Sequence, residues 1–169
     1  MKRNHLLLVL LSLAFSLTLL AQAGSRGNAE ATVNSRKLTI NYGKPALRGR
    51  DMLAMAQVGT VWRVGMNEAT EISSSGDLMV GGKRLRAGRY SLWVRKTGAT
   101  QWSLAFHPMV GIWGQPELKQ GYVAEMPLEL TRGPRPAEQL VITLLPRNNN
   151  AEITIHWGPS TLKGLIGVM

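Results

Sequence analysis

The densest group of polar residues in the sequence lies between Trp62 and Thr70, in the stretch Trp-Arg-Val-Gly-Met-Asn-Glu-Ala-Thr. Arg63 offers a planar guanidinium that can hold a carboxylate, Asn67 can donate and accept hydrogen bonds, and Glu68 supplies a carboxylate. On a loop between two strands, such a set can line a ligand site. The same residues also fit a structural role, in which Arg63 pairs with Glu68 to fasten the loop, and this more common arrangement is the favoured interpretation.

Two of the five tryptophans are candidates for binding sugar rings through their flat faces. Trp93 is out of phase with the apolar residues of its predicted strand, and Trp113 lies in a Gly-rich loop. Large aromatic side chains are rarely left bare, so a second sheet or a loop that covers Trp93 is the slightly favoured alternative. The three remaining tryptophans are predicted in the core, in phase with apolar neighbours: Trp62, Trp102 and Trp157.

The sequence contains no established catalytic motif: no nucleophile elbow, phosphate-binding loop, zinc-protease motif or calcium loop. His107 and His156 are predicted on the polar faces of two separate strands, as ordinary surface residues. Asp77 lies in a predicted turn, where its side chain has a structural function. We therefore predict neither a metal site nor a cofactor.

A basic set surrounds the predicted turn at Ala87-Gly88 and consists of Arg84, Arg86 and Arg89. The whole chain carries a formal net charge of +10, which favours anionic neighbours. Because the chain is predicted to be exported, we expect an anionic envelope component or a small ligand as the partner, and not a nucleic acid. A solvated hairpin without a specific partner is the alternative interpretation of the basic set.

Export is predicted from the amino-terminal 23 residues. Basic Lys2 and Arg3 precede an apolar run from Leu6 to Leu20, and the small-residue triplet Ala21-Gln22-Ala23 follows, which is the pattern of a cleavable signal peptide. No later stretch is long and apolar enough for a transmembrane helix, and the chain contains no Cys for disulfides or lipid attachment. We expect a mature periplasmic or secreted protein that begins at Gly24.

Alternation of apolar and polar residues predicts that the candidate residues are positioned by β-strands. The clearest examples are Lys37–Tyr42 and a hairpin formed by Arg89–Arg95 and Gln101–His107. Further strands are predicted at 61–64, 69–74, 78–80, 123–131, 139–145 and 151–157, and only Met52–Gln57 has a helical pattern. Residues 24–30 are predicted to be a loose terminus. Many short strands with Gly-rich turns favour an all-β fold, a single antiparallel β-sandwich or jelly roll over residues 24–169.

Several short motifs follow one another along almost the whole predicted mature chain: Tyr42-Gly43-Lys44-Pro45, Arg48-Gly49-Arg50, Val61 to Thr70, Gly81-Gly82-Lys83, Ala87 to Leu92 and Trp113-Gly114. Together they resemble the bacterial family catalogued as domain of unknown function 2911. This sequence departs from the family at Met66, where Ala is usual, and at His107, where Asn is expected. The resemblance implies export and a single β-rich domain, and it implies no activity, substrate or catalytic residue.

Three functions fit these observations. The leading hypothesis is a non-catalytic binding or structural protein of the cell envelope, because the catalytic motifs are missing. The first alternative is a hydrolase that acts on an envelope glycan or ester, with Arg63 and Glu68 at its centre. The second alternative is a surface that binds polyanions through Arg84, Arg86 and Arg89.

Overall fold

A computed structural model describes residues 26–114 and 121–169 of the chain. The predicted signal peptide and its cleavage site lie outside the described residues. Within those residues the chain forms ten strands and one short helix, α1 (Met52–Met55). The strands are β1 (Arg26–Val33), β2 (Arg36–Gly43), β3 (Val61–Trp62), β4 (Thr70–Ser74), β5 (Leu78–Val80), β6 (Lys83–Leu85), β7 (Gly88–Lys96), β8 (Trp102–His107), β9 (Ala124–Arg147) and β10 (Asn150–Val168).

All strand pairs are antiparallel, and the strands join in one open sheet of order β1-β2-β4-β7-β8-β9-β10-β5-β6, with β3 paired to β7. The predicted hairpin is confirmed as β7 and β8, in which Ser91 lies opposite His107 and Lys96 opposite Trp102. The all-β, antiparallel, single-domain prediction is therefore confirmed. The division into the two sheets of a sandwich is not confirmed, because backbone pairing links the strands into one sheet.

The two ends of the sheet approach each other around the main core. The Asn34 side chain, in the turn between β1 and β2, donates a hydrogen bond to the carbonyl of Val168 at 3.1 Å. Beyond β2, Ala46 forms an antiparallel bridge with Gln139 of β9. The core between them contains fully buried side chains from both parts of the sheet, among them Leu38, Ile40, Ile72, Leu92, Leu104, Ile153 and Ile155.

Strand boundaries differ from the sequence prediction at both ends of the chain. The predicted strands 123–131 and 139–145 belong to the single long strand β9, which pairs with β8 through its first residues and with β10 through the rest. The prediction of a loose terminus is wrong from Arg26 onward, because β1 buries Ala29, Ala31 and Val33 against the core. Alanine is small and only weakly apolar, so the alternation in this strand is hard to see in the sequence.

The predicted helical turn is confirmed as α1, and Asp51 caps it by accepting a hydrogen bond from the backbone N–H of Ala54 at 3.0 Å. Leu53 of this helix is buried in the main core. The part of the chain that the structure describes contains no helix of the length and hydropathy needed to cross a membrane.

Candidate functional site

The segment 63–69, which holds most of the polar cluster of the sequence, is a strained loop between β3 and β4. Val64 is fully buried and has a φ of 53°, in the left-handed region that β-branched residues rarely adopt. Asn67 also has a positive φ, of 62°. Thr70 stabilises this conformation, since its hydroxyl donates to the Val64 carbonyl at 2.8 Å and its backbone N–H donates to the Arg63 carbonyl at 3.3 Å. Backbone strain of this kind is found most often at functional sites.

Two glycines allow this loop to lie directly against the end of β2. A Cβ atom at Gly43 would clash with the backbone oxygen of Met66, and a Cβ atom at Gly65 would be a tight 3.1 Å from the backbone oxygen of Gly43. At Gly43 only glycine permits the close approach of the two backbones. Gly43 and Gly65, from two of the motifs shared with the family, therefore serve the same contact, between this loop and the end of β2.

Arg63 joins this loop to a second one, residues 108–114. One guanidinium nitrogen of Arg63 donates to the backbone carbonyls of both Asn67, at 2.6 Å, and Trp113. The second loop is further held by Ala69, whose N–H donates to the Ile112 carbonyl at 2.9 Å, and by Gly111, whose N–H donates to the Glu71 carboxylate. The two loops are thus fixed to each other and to β4.

The predicted ion pair between Arg63 and Glu68 is wrong. Arg63 donates to backbone carbonyls instead, and the Glu68 side chain is exposed. Asn67 is exposed as well, and Trp113 is 61% exposed. We call the side chains of Arg63, Asn67, Glu68 and Trp113 the Trp113 surface. It combines a flat aromatic ring with a guanidinium, an amide and a carboxylate, all of which can hydrogen-bond to a ligand.

Trp93 does not belong to this surface, because its side chain is fully buried. Its indole N–H donates to the Ser91 hydroxyl at 2.9 Å, and the ring lies in a small second core with Ala69 and Ala105. Ile112, from the loop 108–114, and Tyr122 pack against this second core. The alternative prediction, that a loop covers Trp93, is therefore confirmed. No face of Trp93 is free for a sugar ring.

The prediction that His107 is a surface residue is wrong, because its side chain is also buried. Its strand, β8, is buried on both faces, and the His107 side chain is only 1% exposed. His107 Nδ1 accepts a hydrogen bond from the Met109 N–H at 3.1 Å, and the ring packs edge-on against Tyr122. Burial lowers the pKa of His107 and raises that of Tyr122. His156 is half-buried on β10.

A carboxylate network near the second core was not predicted from the sequence. Glu125 of β9 accepts hydrogen bonds from the Ser103 hydroxyl and from Arg95, the latter at 2.7 Å. The Arg95 guanidinium also lies 5.3 Å from the centre of the Tyr122 ring, within reach of a cation–π contact. The predicted hairpin brings Arg95 and Ser103 onto neighbouring strands, but nothing in the sequence indicates that Glu125 and Tyr122 join them.

The three arginines of the basic set are exposed, but two of them are paired with carboxylates. Arg84 forms an ion pair with Asp77 at 2.6 Å, and Arg89 forms one with Glu71. Asp77 also accepts a hydrogen bond from the Ala87 N–H at 2.8 Å; this bond and Arg84 lower the pKa of Asp77. The structural function expected for Asp77 is thus confirmed, although its backbone partner lies ten residues further on. Arg86 is exposed, and its backbone carbonyl accepts a hydrogen bond from Tyr90.

Metal ligands are not grouped within residues 26–114 and 121–169: no three His, Asp or Glu side chains there are placed to hold an ion together. A family model described as Protein of unknown function (DUF2911) matches residues 25–164, a range that includes the whole Trp113 surface. No curated protein and no solved structure matches the chain.

Proposed function

We infer that this chain, which belongs to the DUF2911 family of proteins of unknown function, is an exported, non-catalytic binding protein of the cell envelope whose ligand is a glycan. One observation carries the proposal: Arg63 donates to the backbone carbonyls of both Asn67 and Trp113, so the loop with the exposed Trp113 ring is joined to the loop that exposes Asn67 and Glu68. The strained φ of Val64 in the same loop supports it, because such strain is retained where function requires it.

The chemistry of the Trp113 surface suits a sugar. A pyranose ring has an apolar face that can stack on an exposed indole, and its hydroxyl groups both donate and accept hydrogen bonds. Arg63 can donate, Glu68 can accept, and Asn67 can do both. Residues held on fixed loops bind a ligand at a lower entropic cost than residues on free ones. The four side chains therefore provide both parts of a glycan contact, a platform and polar groups around it.

The hydrogen bonds of two other carboxylates support binding over hydrolysis. A general acid or a nucleophile needs a carboxyl group that is free to reach the substrate. Glu71 accepts from Arg89 and Gly111, and Glu125 accepts from Arg95 and Ser103. Glu68 is exposed to water and does not pair with Arg63, so the centre imagined for a hydrolase, an Arg63–Glu68 pair, is not formed.

Export and an envelope location rest on the predicted signal peptide, Met1 to Ala23. A mature chain without cysteines folds without disulfide formation. Its positive net charge also favours contact with the anionic polymers and head groups of an envelope.

The proposal is tested by titrating the mature protein with a soluble oligosaccharide of N-acetylglucosamine while tryptophan fluorescence and heat of binding are recorded. We expect saturable binding, and we expect Trp113→Ala to weaken it by at least about tenfold, as loss of a central aromatic contact does. Met109→Ala, in the same loop and 37% exposed, is the matched control and should bind normally. Equal binding by wild type and Trp113→Ala would overturn the proposal.

A further inference from the structure

A second site of different chemistry lies beneath helix α1. An open pocket of about 420 Å³ is lined by the helix, the segment that follows it and three tryptophans, Trp62, Trp102 and Trp157. It shares no lining residue with the Trp113 surface. Met52, Met55 and Ala56 form the helical side of the pocket, so its walls are mainly apolar.

The tryptophans make a rigid aromatic wall. Trp62 and Trp157 stack with their ring centres 5.1 Å apart and their planes inclined by 16°. Trp102 and Trp157 are only 4% and 6% exposed, and the indole N–H groups of both are buried without an acceptor within the described residues. Buried donors of this kind are rare in native proteins, because each one loses its hydrogen bonds to water on folding. Because these N–H groups are inaccessible, the two rings present carbon atoms to the pocket.

A cation lies beside the same wall. The Lys96 ammonium is 5.4 Å from the centre of the Trp102 ring and donates to the carbonyl of Ala56 at 2.8 Å, so it is held against two lining residues. An ammonium has three donors, and the bond to Ala56 uses one of them. The opposite side of the pocket is accessible, since Met55 is 66% exposed. Methionine adapts its shape to flexible apolar ligands.

We propose that this pocket binds a small amphiphile with a hydrocarbon body and a carboxylate head group. The apolar walls and the two methionines accept the hydrocarbon. A carboxylate oxygen accepts a strong hydrogen bond from an ammonium, which matches Lys96 at the edge of the pocket. A cationic head group would be repelled by Lys96.

The test uses the mature protein labelled with ¹⁵N at its tryptophans, whose five indole N–H signals are recorded during titration. Decanoate is the probe, decyltrimethylammonium has the same chain with a cationic head, and acetate carries the head group alone. We expect decanoate to bind saturably and to shift the Trp102 and Trp157 signals, while the other two compounds leave them in place. Equal shifts with both long-chain compounds, or shifts confined to Trp113, would overturn the proposal.

Variants separate the walls from the head-group contacts. Lys96→Met should weaken decanoate binding about tenfold, the value of one hydrogen bond to a charged group. Met55→Glu places a negative charge at an exposed lining position and should abolish binding without loss of the fold, whereas Leu165→Glu, 55% exposed on β10, is the control and should bind decanoate normally. Unchanged binding by Met55→Glu would contradict the assignment of the pocket.

Discussion

The guanidinium of Arg63 donates a hydrogen bond to the backbone carbonyl of Trp113, fifty residues further along the chain. The same nitrogen also donates to the carbonyl of Asn67, so one side chain links the two loops directly. The orientation of the Trp113 surface therefore depends on a residue that exposes only part of its side chain.

Arg63→Ala should destabilise the protein and weaken glycan binding together. Loss of two hydrogen bonds from a charged, partly exposed group is expected to lower the free energy of unfolding by about 1–3 kcal/mol. Urea denaturation of both proteins measures this difference. Arg50→Ala, at an exposed position in a turn, should leave stability unchanged, and an equal loss in that variant would show that overall charge is responsible.

Glu68→Ala should leave the free energy of unfolding within about 0.5 kcal/mol of wild type, as is usual for exposed positions. Its carboxylate is exposed and does not pair with Arg63, so its removal breaks no ion pair with that residue. Glycan binding should nevertheless weaken. Denaturation and calorimetry on the same preparation separate the two effects, and a clear loss of stability would restore the structural interpretation of Glu68.

Gly43→Ala should destabilise the protein by about 1–3 kcal/mol, the range for overpacking, since the added methyl group would meet the backbone of Met66. Gly133→Ala is the matched control, because a Cβ atom there meets nothing within 4 Å and its φ is not positive. Thermal unfolding of both variants gives the comparison. Similar melting temperatures for the two would contradict the close approach of the loop to β2.

His107 should make stability depend on pH. Burial holds the pKa of His107 below its ordinary value of 6.5. Protonation therefore favours the unfolded state, and stability should be complete above pH 6.5 and decline as the pH falls below it toward the folded-state pKa. His107→Asn keeps an acceptor for the Met109 N–H and should flatten this decline, as seen in denaturation curves over that range. The half-buried His156→Asn variant should retain the wild-type profile.

Expression with the native leader should yield a mature protein that begins at Gly24, because the small residues at Ala21 and Ala23 fit signal peptidase cleavage. Intact-mass analysis of the purified protein measures this directly. A chain that retains the apolar run from Leu6 to Leu20 would argue against an exported, cleaved form.

The sequence predicts the strands well where alternation is strong, as in β2, β7 and β8. It fails at β1, whose buried positions are alanines and a valine, and at the second half of β10, where glycines and serine interrupt the apolar pattern. In both cases long-range packing, and not local propensity, decides the structure.

The Trp113 surface was partly predictable, because Arg63, Asn67 and Glu68 are adjacent in sequence and Gly-rich surroundings mark the Trp113 loop. The hydrogen-bond partner of Arg63 in the second loop was not predictable, because every residue type carries a backbone carbonyl. The covering of Trp93 was the slightly favoured alternative, and the structure has it. Burial of His107 could not be inferred, because alternation shows one apolar face and β8 is covered on both. The pocket beneath α1 combines tryptophans that the sequence identifies only as core residues.

The bond from the Asn34 side chain to the Val168 carbonyl spans 134 residues. A ribosome releases the first hairpin long before the strand that contains Val168, so the amino-terminal strands cannot complete their packing during synthesis. Folding is slow when such distant contacts must form. The exported form proposed above would benefit from this delay, because a chain that has not yet folded remains competent for translocation.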